Sequence, residues 1–293
     1  MVNSFESESD LSIIIVNFNV KPLLNKCLNS IFNFQTGLKF EVIVVDNHSE
    51  DQSAEMVKGC FPNVCLIENL ENLGFSSACN QGIKSSRGRY LLFLNPDTEF
   101  TAGGISEMIK FMDSNPSIGV CGPKMVDPEG KIQFSARSFP SYLTSISSTQ
   151  SMLNRFFPKN PWSGKYLLKD LDRNQKAEMD WVSGSCMLTT RGMIEKIGPL
   201  DERFFMYAED VDFCYRAKKA GYLVYYLPEC MVVHHIGKST QRRKTEMLVE
   251  HHRSMFHFYR KHYPPNILLM GMVFLGIWIR LWFRVGASFV HTE

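Results

Sequence analysis

Several acidic positions and one pair of histidines in this sequence have the surroundings that chemistry requires. Asp97 follows the apolar run 90-YLLFL-94 and the dipeptide Asn95-Pro96. Pro96 has no amide hydrogen and biases Asn95 toward extended or turn backbone, so a strand must stop there. A carboxylate at the end of a buried strand suits a cation or phosphate-bearing ligand, because open α/β sheets bind ligands at that edge; a plain turn is the other reading. Asp46 ends a second apolar run, 40-FEVIVVD-46, where it can accept hydrogen bonds from a base or ribose, or simply close a turn. Glu209, Asp210 and Asp212 open a helix behind the aromatic stretch 204-FFMY-207. Carboxylates there complement the helix dipole. Asp210 and Asp212 lie about 200° apart around that helix, so they do different jobs and one of them can face a cleft. A carboxylate enclosed by aromatics suits a general base, since burial raises its pKa. His234 and His235 end the run 230-CMVV-233 and point to opposite sides of a strand, so at most one enters a site. A histidine at one strand end and an aspartate at another are compatible with divalent metal ligation.

The elements that position these residues alternate. Unbroken Leu/Ile/Val runs at 11–17 and 40–46 predict strands covered on both faces, as in a parallel sheet. Between them, Leu23, Leu24, Cys27, Leu28 and Ile31 repeat at helical spacing, predicting a helix over 21–34. A short helix is expected at 53–59, a strand at 64–67 and a helix from Phe75 to the strand at 90–94. This alternation predicts a doubly wound α/β domain. Further on, a helix is expected at 103–113, with strands at 118–123 and 132–136 and an irregular insertion over 137–178. The small trio Ser183-Gly184-Ser185 leads into another strand, and strands are expected at 223–227 and 230–237.

Composition narrows the function. The net charge is +2 across 293 residues, too balanced for a nucleic-acid partner. Eight scattered cysteines without a CxxC pair predict reduced, buried thiols rather than a disulfide framework. The polar start 1-MVNSFESESD-10 lacks the features of a signal peptide, so the catalytic part is expected in the cytoplasm. Neither GxGxxG after the first strand nor GxxxxGK[ST] is present, which argues against dinucleotide-binding and P-loop chemistry.

Taken in order, 12-SIIIVNFN-19, 43-IVVDNHSED-51, 69-NLENLGFSSACNQGI-83, 90-YLLFLNPD-97, 181-WVSGSCML-188, 205-FMYAEDVDFCYR-216 and 234-HHIGKS-239 resemble the family 2 glycosyltransferases, rhamnosyltransferase-like group. The resemblance covers roughly residues 10–240. It implies a GT-A fold: a central, mostly parallel sheet with a mixed extension on the acceptor side. The nucleotide-sugar half would span about 10–100 and the acceptor half about 100–240. It further implies that Asp46 reads the nucleobase and that Asn95-Pro96-Asp97 resembles a DxD metal motif in NPD form. Asn95 would then contact ribose or a water, and Asn17, Asn72, Asn80 and Arg89 would line the donor pocket. Asp97 and His234 would hold Mg²⁺ or Mn²⁺, and Asp210 would be the catalytic base. The implied reaction is inverting transfer of a sugar, L-rhamnose from dTDP-rhamnose before a UDP-sugar, to a glycan or polyprenyl-pyrophosphate-linked acceptor. A non-catalytic sugar-binding module and a nucleotidyltransferase are the rivals; the combination of Asp97, Asp210 and His234 disfavours the first, and 17-NFNVKP-22 does not resemble the Gly-rich loop of the second.

The remainder, 241–293, reads as a helical tail. Residues 241–263 are basic and aromatic, and 267-ILLMGMVFLGIWI-279 is a short apolar run followed by Arg280, Trp282 and Arg284. A spanning helix needs about 20 apolar residues, so an interfacial helix on an anionic cytoplasmic leaflet is expected before a tilted span or an oligomerisation helix.

Overall fold

The computed structural model describes residues 9–33, 37–101, 104–141, 164, 166–168, 170–235, 244–263, 271, 274–279 and 281. The first half alternates as the sequence predicts: β1 (Leu11–Asn17), α1 (Lys21–Phe32), β2 (Phe40–Asp46), α2 (Ser53–Cys60), β3 (Val64–Glu68), α3 (Phe75–Ser85) and β4 (Tyr90–Leu94). Then come β5 (Thr98–Phe100), α4 (Ile105–Asp113), β6 (Ile118–Val126), β7 (Ala136–Arg137), β8 (Ala177–Met179), β9 (Trp181–Val182) and β10 (Cys186–Thr190). The chain continues through α5 (Arg191–Ile197), α6 (Glu209–Lys219), β11 (Leu223–His234) and α7 (Lys244–His262).

The main sheet has the order β3-β2-β1-β4-β10-β6-β11-β5, with β8 paired to β11. The β1–β4 segment is parallel, β10 runs antiparallel between β4 and β6, and β6 and β11 are parallel to each other. Alternate side chains of the apolar strands serve two cores. Ile13, Ile15, Val44 and Leu92 face one core with α1 and α4, while Ile14, Val16, Ile43 and Phe93 face the other with α3 and α6. Both faces are covered, which is why these strands carry no polar alternation.

Three local expectations change. The strands expected at 223–227 and 230–237 form one strand, β11, whose pairing with β6 shifts between Leu227 and Met231. Pro228 lies within that interval and cannot donate to a ladder, so the strand bulges and then resumes. The expected strand 132–136 is reduced to a bridge between Val126 and Ile132 and the two-residue β7. The edge strand β5 was not foreseen; it pairs antiparallel with the end of β11, matching Thr98 to His234. All eight cysteines are free, and six are buried.

The tail helix α7 lies against the domain. Phe258 joins the core on the α6 side, and Ser254, Tyr259 and Tyr263 donate to the backbone carbonyls of Met206, Ser141 and Pro140. Its basic end also turns inward. Lys261 Nζ lies 2.6 Å from both Asp201 and Asp212, and His262 Nε2 lies 2.6 Å from Asp212. The insertion expected over 137–178 falls largely, at 142–163, outside the described residues, as do 236–243 and 264–270.

Candidate active site

One edge of the sheet gathers the chemistry. Asn17 and Asp46 are register partners at the ends of β1 and β2, and β4 ends beside them and runs into Asn95. Because β10 is antiparallel to β4, the loop that precedes it, 183–185, arrives at the same edge. Because β11 is parallel to β6, its C-terminal His234 arrives there too.

Asp46 is buried at the end of β2; its Oδ1 accepts from Asn17 Nδ2 at 2.7 Å and its Oδ2 from the Ser49 amide at 2.9 Å. Asn17 is fully buried behind it and donates to Ser49 Oγ at 3.0 Å as well. Asn17 therefore holds the carboxylate in place rather than reaching past it. Each carboxylate oxygen keeps a further lone pair for a ligand.

Asp97 is 2 % exposed, and its Oδ1 lies 3.3 Å from His234 Nε2. The two meet because β5 starts immediately after Asp97 and pairs with the end of β11, so that the Asp97 carbonyl accepts from the His235 amide at 2.9 Å. His235 points elsewhere, with Nε2 2.6 Å from Glu99 Oε1. The two rings thus have different partners, as alternation along a strand requires. Among the described residues, no group of three or more His, Cys, Asp or Glu side chains comes together as a metal-binding set. Asp97 and His234 offer one oxygen and one nitrogen, a donor pair that fits a partial shell for a divalent cation whose other donors come from ligand and water.

Across the 183–185 loop stands Asp210. Its Oδ2 accepts from the Gly184 amide at 2.9 Å and its Oδ1 from the Val211 amide at 2.8 Å. The same loop grips the other side of the site: the Asn95 amide donates to the Ser185 carbonyl at 2.9 Å, and Asn95 Nδ2 to Ser185 Oγ at 3.2 Å. Loop 183–185 thus bridges the strand-end carboxylate and the helix-start carboxylate. Burial pushes the Asp210 carboxyl above its ordinary value, while the Gly184 and Val211 amides and the Arg137 guanidinium pull it back. Its neighbour Glu209 is raised further, by burial first and by the adjacent Asp210 charge second. Backbone strain delivers the pair, since Tyr207 and Ala208 both adopt left-handed φ values, 69° and 63°. Such non-glycine residues cost on the order of 1–3 kcal/mol each and persist where the surroundings fix them. Here Phe75 donates its amide to the Phe205 carbonyl at 2.6 Å, beside Gly74 at φ 85°. A Cβ at Gly74 would sit 2.6 Å from that carbonyl oxygen, so only glycine permits the contact.

Residues 12–198 match the family described as glycosyl transferase family 2. The chain belongs to this family. It is a glycosyltransferase, 32 % identical over 259 residues to the N-acetylglucosaminyl-diphospho-decaprenol L-rhamnosyltransferase of Mycobacterium tuberculosis, with 85 % of this chain and 83 % of that one covered. It is also 30 % identical over 229 residues to the low-salt glycan biosynthesis hexosyltransferase Agl10 of Haloferax volcanii, covering 76 % of this chain and 66 % of that one. Its structure resembles the mannosyltransferase PcManGT of Pyrobaculum calidifontis, solved with GDP-Man and Mn²⁺. The TM-score is 0.60 at 16 % identity, over 98 % of this chain and 81 % of that one. That likeness shows the GT-A fold: a largely parallel core sheet, a mixed extension and C-terminal helices.

Two of the residues expected in the donor pocket of this glycosyltransferase do other work, and a third stands at the wrong end. Arg89 precedes β4, at the end of the strand opposite Asp97, and pairs with Asp113 through its two terminal guanidinium nitrogens at 2.5 and 3.1 Å. A five-residue strand separates it from the site by about 16 Å, so Arg89 is corrected to a surface ion pair. Asn80 is buried and spends its side chain on Leu200 and Glu202: it donates to the Leu200 carbonyl and to Glu202 Oε1, both at 2.9 Å, and accepts from the Leu200 amide at 3.1 Å. Asn72 Oδ1 accepts from Asn47 Nδ2 at 2.9 Å and from the Gly74 amide at 3.0 Å, which shapes the turn into α3. Asp212, an alternative to Asp210 on sequence grounds, is fully buried among Arg216, Lys261 and His262 and does not face the site. Gln133 and Arg137 escaped the sequence reading. Gln133 bonds His234, and Arg137 stacks over Trp181 with its charge felt at Asp210. Neither sits in a recognisable motif; Gln133 comes from the β6–β7 connection and Arg137 from β7 itself.

Proposed function

We propose that this chain is a metal-dependent inverting glycosyltransferase that moves L-rhamnose from dTDP-rhamnose to a hydroxyl of a polyprenyl-pyrophosphate-linked or polysaccharide acceptor in cell-surface glycan synthesis. The observation that carries this reading is the meeting of Asp97 with His234 on the edge that Asp210 reaches across the 183–185 loop. The rhamnosyl and lipid-linked parts draw support from the decaprenol-dependent relative, which shares most of its length with this chain.

In this mechanism Asp46 and the loop around it receive the nucleoside, with Asn17 fixing the carboxylate. Asn95 approaches the ribose or a bound water. Asp97 and His234 would hold Mn²⁺ or Mg²⁺, which neutralises the charge that gathers on the leaving diphosphate. Asp210 accepts the proton of the acceptor hydroxyl. That oxygen forms its bond to the anomeric carbon on the face opposite the diphosphate, whose bond to the same carbon breaks with both electrons. One displacement inverts the centre, so a β-linked donor yields an α-rhamnoside and no enzyme nucleophile is needed.

Calorimetric titration of dTDP-rhamnose, UDP- and GDP-sugars, each with and without Mn²⁺, tests the donor and the metal together. The expected result is tightest binding of dTDP-rhamnose, dependent on Mn²⁺ in the native protein and independent of it in Asp97→Asn and His234→Ala. Preference for a UDP-sugar would overturn the rhamnose assignment, and Mn²⁺-independent binding by the native protein would overturn the metal.

Residues 10–240 would form the transferase domain and 241–293 a tail that holds it to the cytoplasmic face of the membrane, peripherally or monotopically. Among the described residues no helix is long and apolar enough to cross a membrane. The helical residues 274–279 support an interfacial role, because Phe274, Leu275, Trp278 and Ile279 are exposed while Ile277 packs with Tyr259 of α7. Lipid at the interface suits such an amphipathic face. Flotation with anionic vesicles should carry the native protein to the top of the gradient and leave the Phe274→Ser/Trp278→Ser variant at the bottom. Equal flotation of the two would remove this attachment.

A further inference from the structure

Gln133 reaches the site from a turn that the function does not otherwise use. After β6 the chain reverses at 127–131: the Asp127 amide donates to the Lys131 carbonyl at 2.9 Å, and the Lys131 amide donates to Asp127 Oδ1 at 2.7 Å. The Gln133 amide then donates to the Met125 carbonyl at 2.9 Å, which ties the residue to the end of β6 beside β11. Its side chain spans both ends of His234. Nε2 donates to the His234 carbonyl at 2.8 Å, and Oε1 lies 2.9 Å from His234 Nδ1.

These two contacts fix each other. A backbone carbonyl only accepts, so the amide nitrogen of Gln133 must face it and the amide oxygen must face the ring. An amide oxygen only accepts, so Nδ1 must carry a proton. In the neutral imidazole Nε2 then keeps its lone pair. Nε2 is the atom 3.3 Å from Asp97 Oδ1. Two electron-rich atoms aimed at one point are arranged to share a cation. His235 has no such arrangement, since its Nε2 is taken up by Glu99.

We infer that Gln133 is a positioning residue: it selects the Nδ1–H tautomer of His234 and aims Nε2 at the cation shared with Asp97. The inference rests on the metal-dependent reading above. It adds the residue that decides which nitrogen binds and explains why His234, not its neighbour, is the ligand. Groups that orient a ligating histidine typically govern about 10–100-fold of metal affinity.

The test uses the full chain and the variants Gln133→Met and Gln133→Glu. Mn²⁺ affinity is measured by calorimetry in the presence of dTDP. The His234 tautomer is read without metal from long-range ¹H–¹⁵N couplings, its signals assigned by their loss in His234→Ala. Gln133→Met should bind Mn²⁺ about 10–100-fold more weakly and show a mixture of tautomers. Gln133→Glu keeps an acceptor opposite Nδ1 and should keep the native tautomer and recover much of the affinity. Native affinity and tautomer in Gln133→Met, with binding lost in His234→Ala, would overturn the role of Gln133. Native Mn²⁺ binding in His234→Ala would instead overturn the metal reading itself.

Discussion

Asp210→Asn lowers sugar transfer by about 10²–10⁴-fold, the usual worth of a positioned general base, while donor binding holds. The prediction follows from where the carboxylate stands. Its two oxygens accept the Gly184 and Val211 amides, which aim it across the loop toward the Asn95 side. Lone pairs remain for the acceptor hydroxyl. Asparagine preserves the size but cannot take a proton, and it leaves one of the two amides without an acceptor, at a cost of about 1–3 kcal/mol. A melting curve alongside the kinetics separates that cost from the chemistry. The pH profile is the second readout. The Asp210 carboxyl is raised by burial and lowered by Arg137, so the acidic limb of native kcat/KM should lie above the ordinary aspartate value of about 3.9. Arg137→Met removes a positive charge that favours the ionised form, so the limb should move to higher pH. Transfer by Asp210→Asn near the native rate, or a limb unmoved in Arg137→Met, would contradict the assignment of the base and of its neighbour respectively.

Asp212→Ala should destabilise the protein by about 3–5 kcal/mol, the cost of leaving buried cations unpaired. Asp212 is fully buried and pairs with Arg216 on its own helix at 2.8 Å and with Lys261 and His262 of α7, each at 2.6 Å. Lys261 also reaches Asp201, itself paired with Arg203. One carboxylate therefore fastens the tail helix to α6, the helix that carries Asp210. Burial alone would raise Asp212, but His262, Lys261 and Arg216 more than offset it and hold the carboxyl below its ordinary value. A depressed folded pKa contributes stability that is complete above the unfolded value of about 3.9 and is lost as the pH falls through the folded one. The deficit of Asp212→Ala should therefore be full at neutral pH and shrink in acid below about pH 4. Hydrogen exchange should show α7 amides losing protection before the sheet does. Native stability at neutral pH would mean that the cluster adds nothing net. The basic residues Lys261 and His262, which lie in the segment the sequence shows as basic and aromatic, thus act inward, on the protein.

The sequence alone determined the strands and helices of the first half, because uninterrupted Ile/Val runs and helical spacing report burial directly. It also determined that Asn95-Pro96 ends β4 and that Asp97 follows at the C-terminal edge of that strand, since a missing amide hydrogen stops a ladder in any context. The order of the remaining motifs was enough to name the family. What the sequence left open was every pairing across the chain. Whether Asp210 or Asp212 faced the loop depended on α7, which lies far along the chain and supplies the counter-charges that claim Asp212. Arg89 and Asn80 read as pocket residues because motif position says nothing about which end of a strand or which loop a side chain serves. Residues 223–227 and 230–237 read as two strands because local sequence does not reveal that β6 offers partners on both sides of the bulge. Only the tertiary structure brought β5 against the end of β11, and with it Asp97 to His234 and Gln133 to the far side of the same ring. Local chemistry fixes which segments are buried and where they stop. Long-range packing decides which of their polar ends meet, and that meeting makes the candidate site.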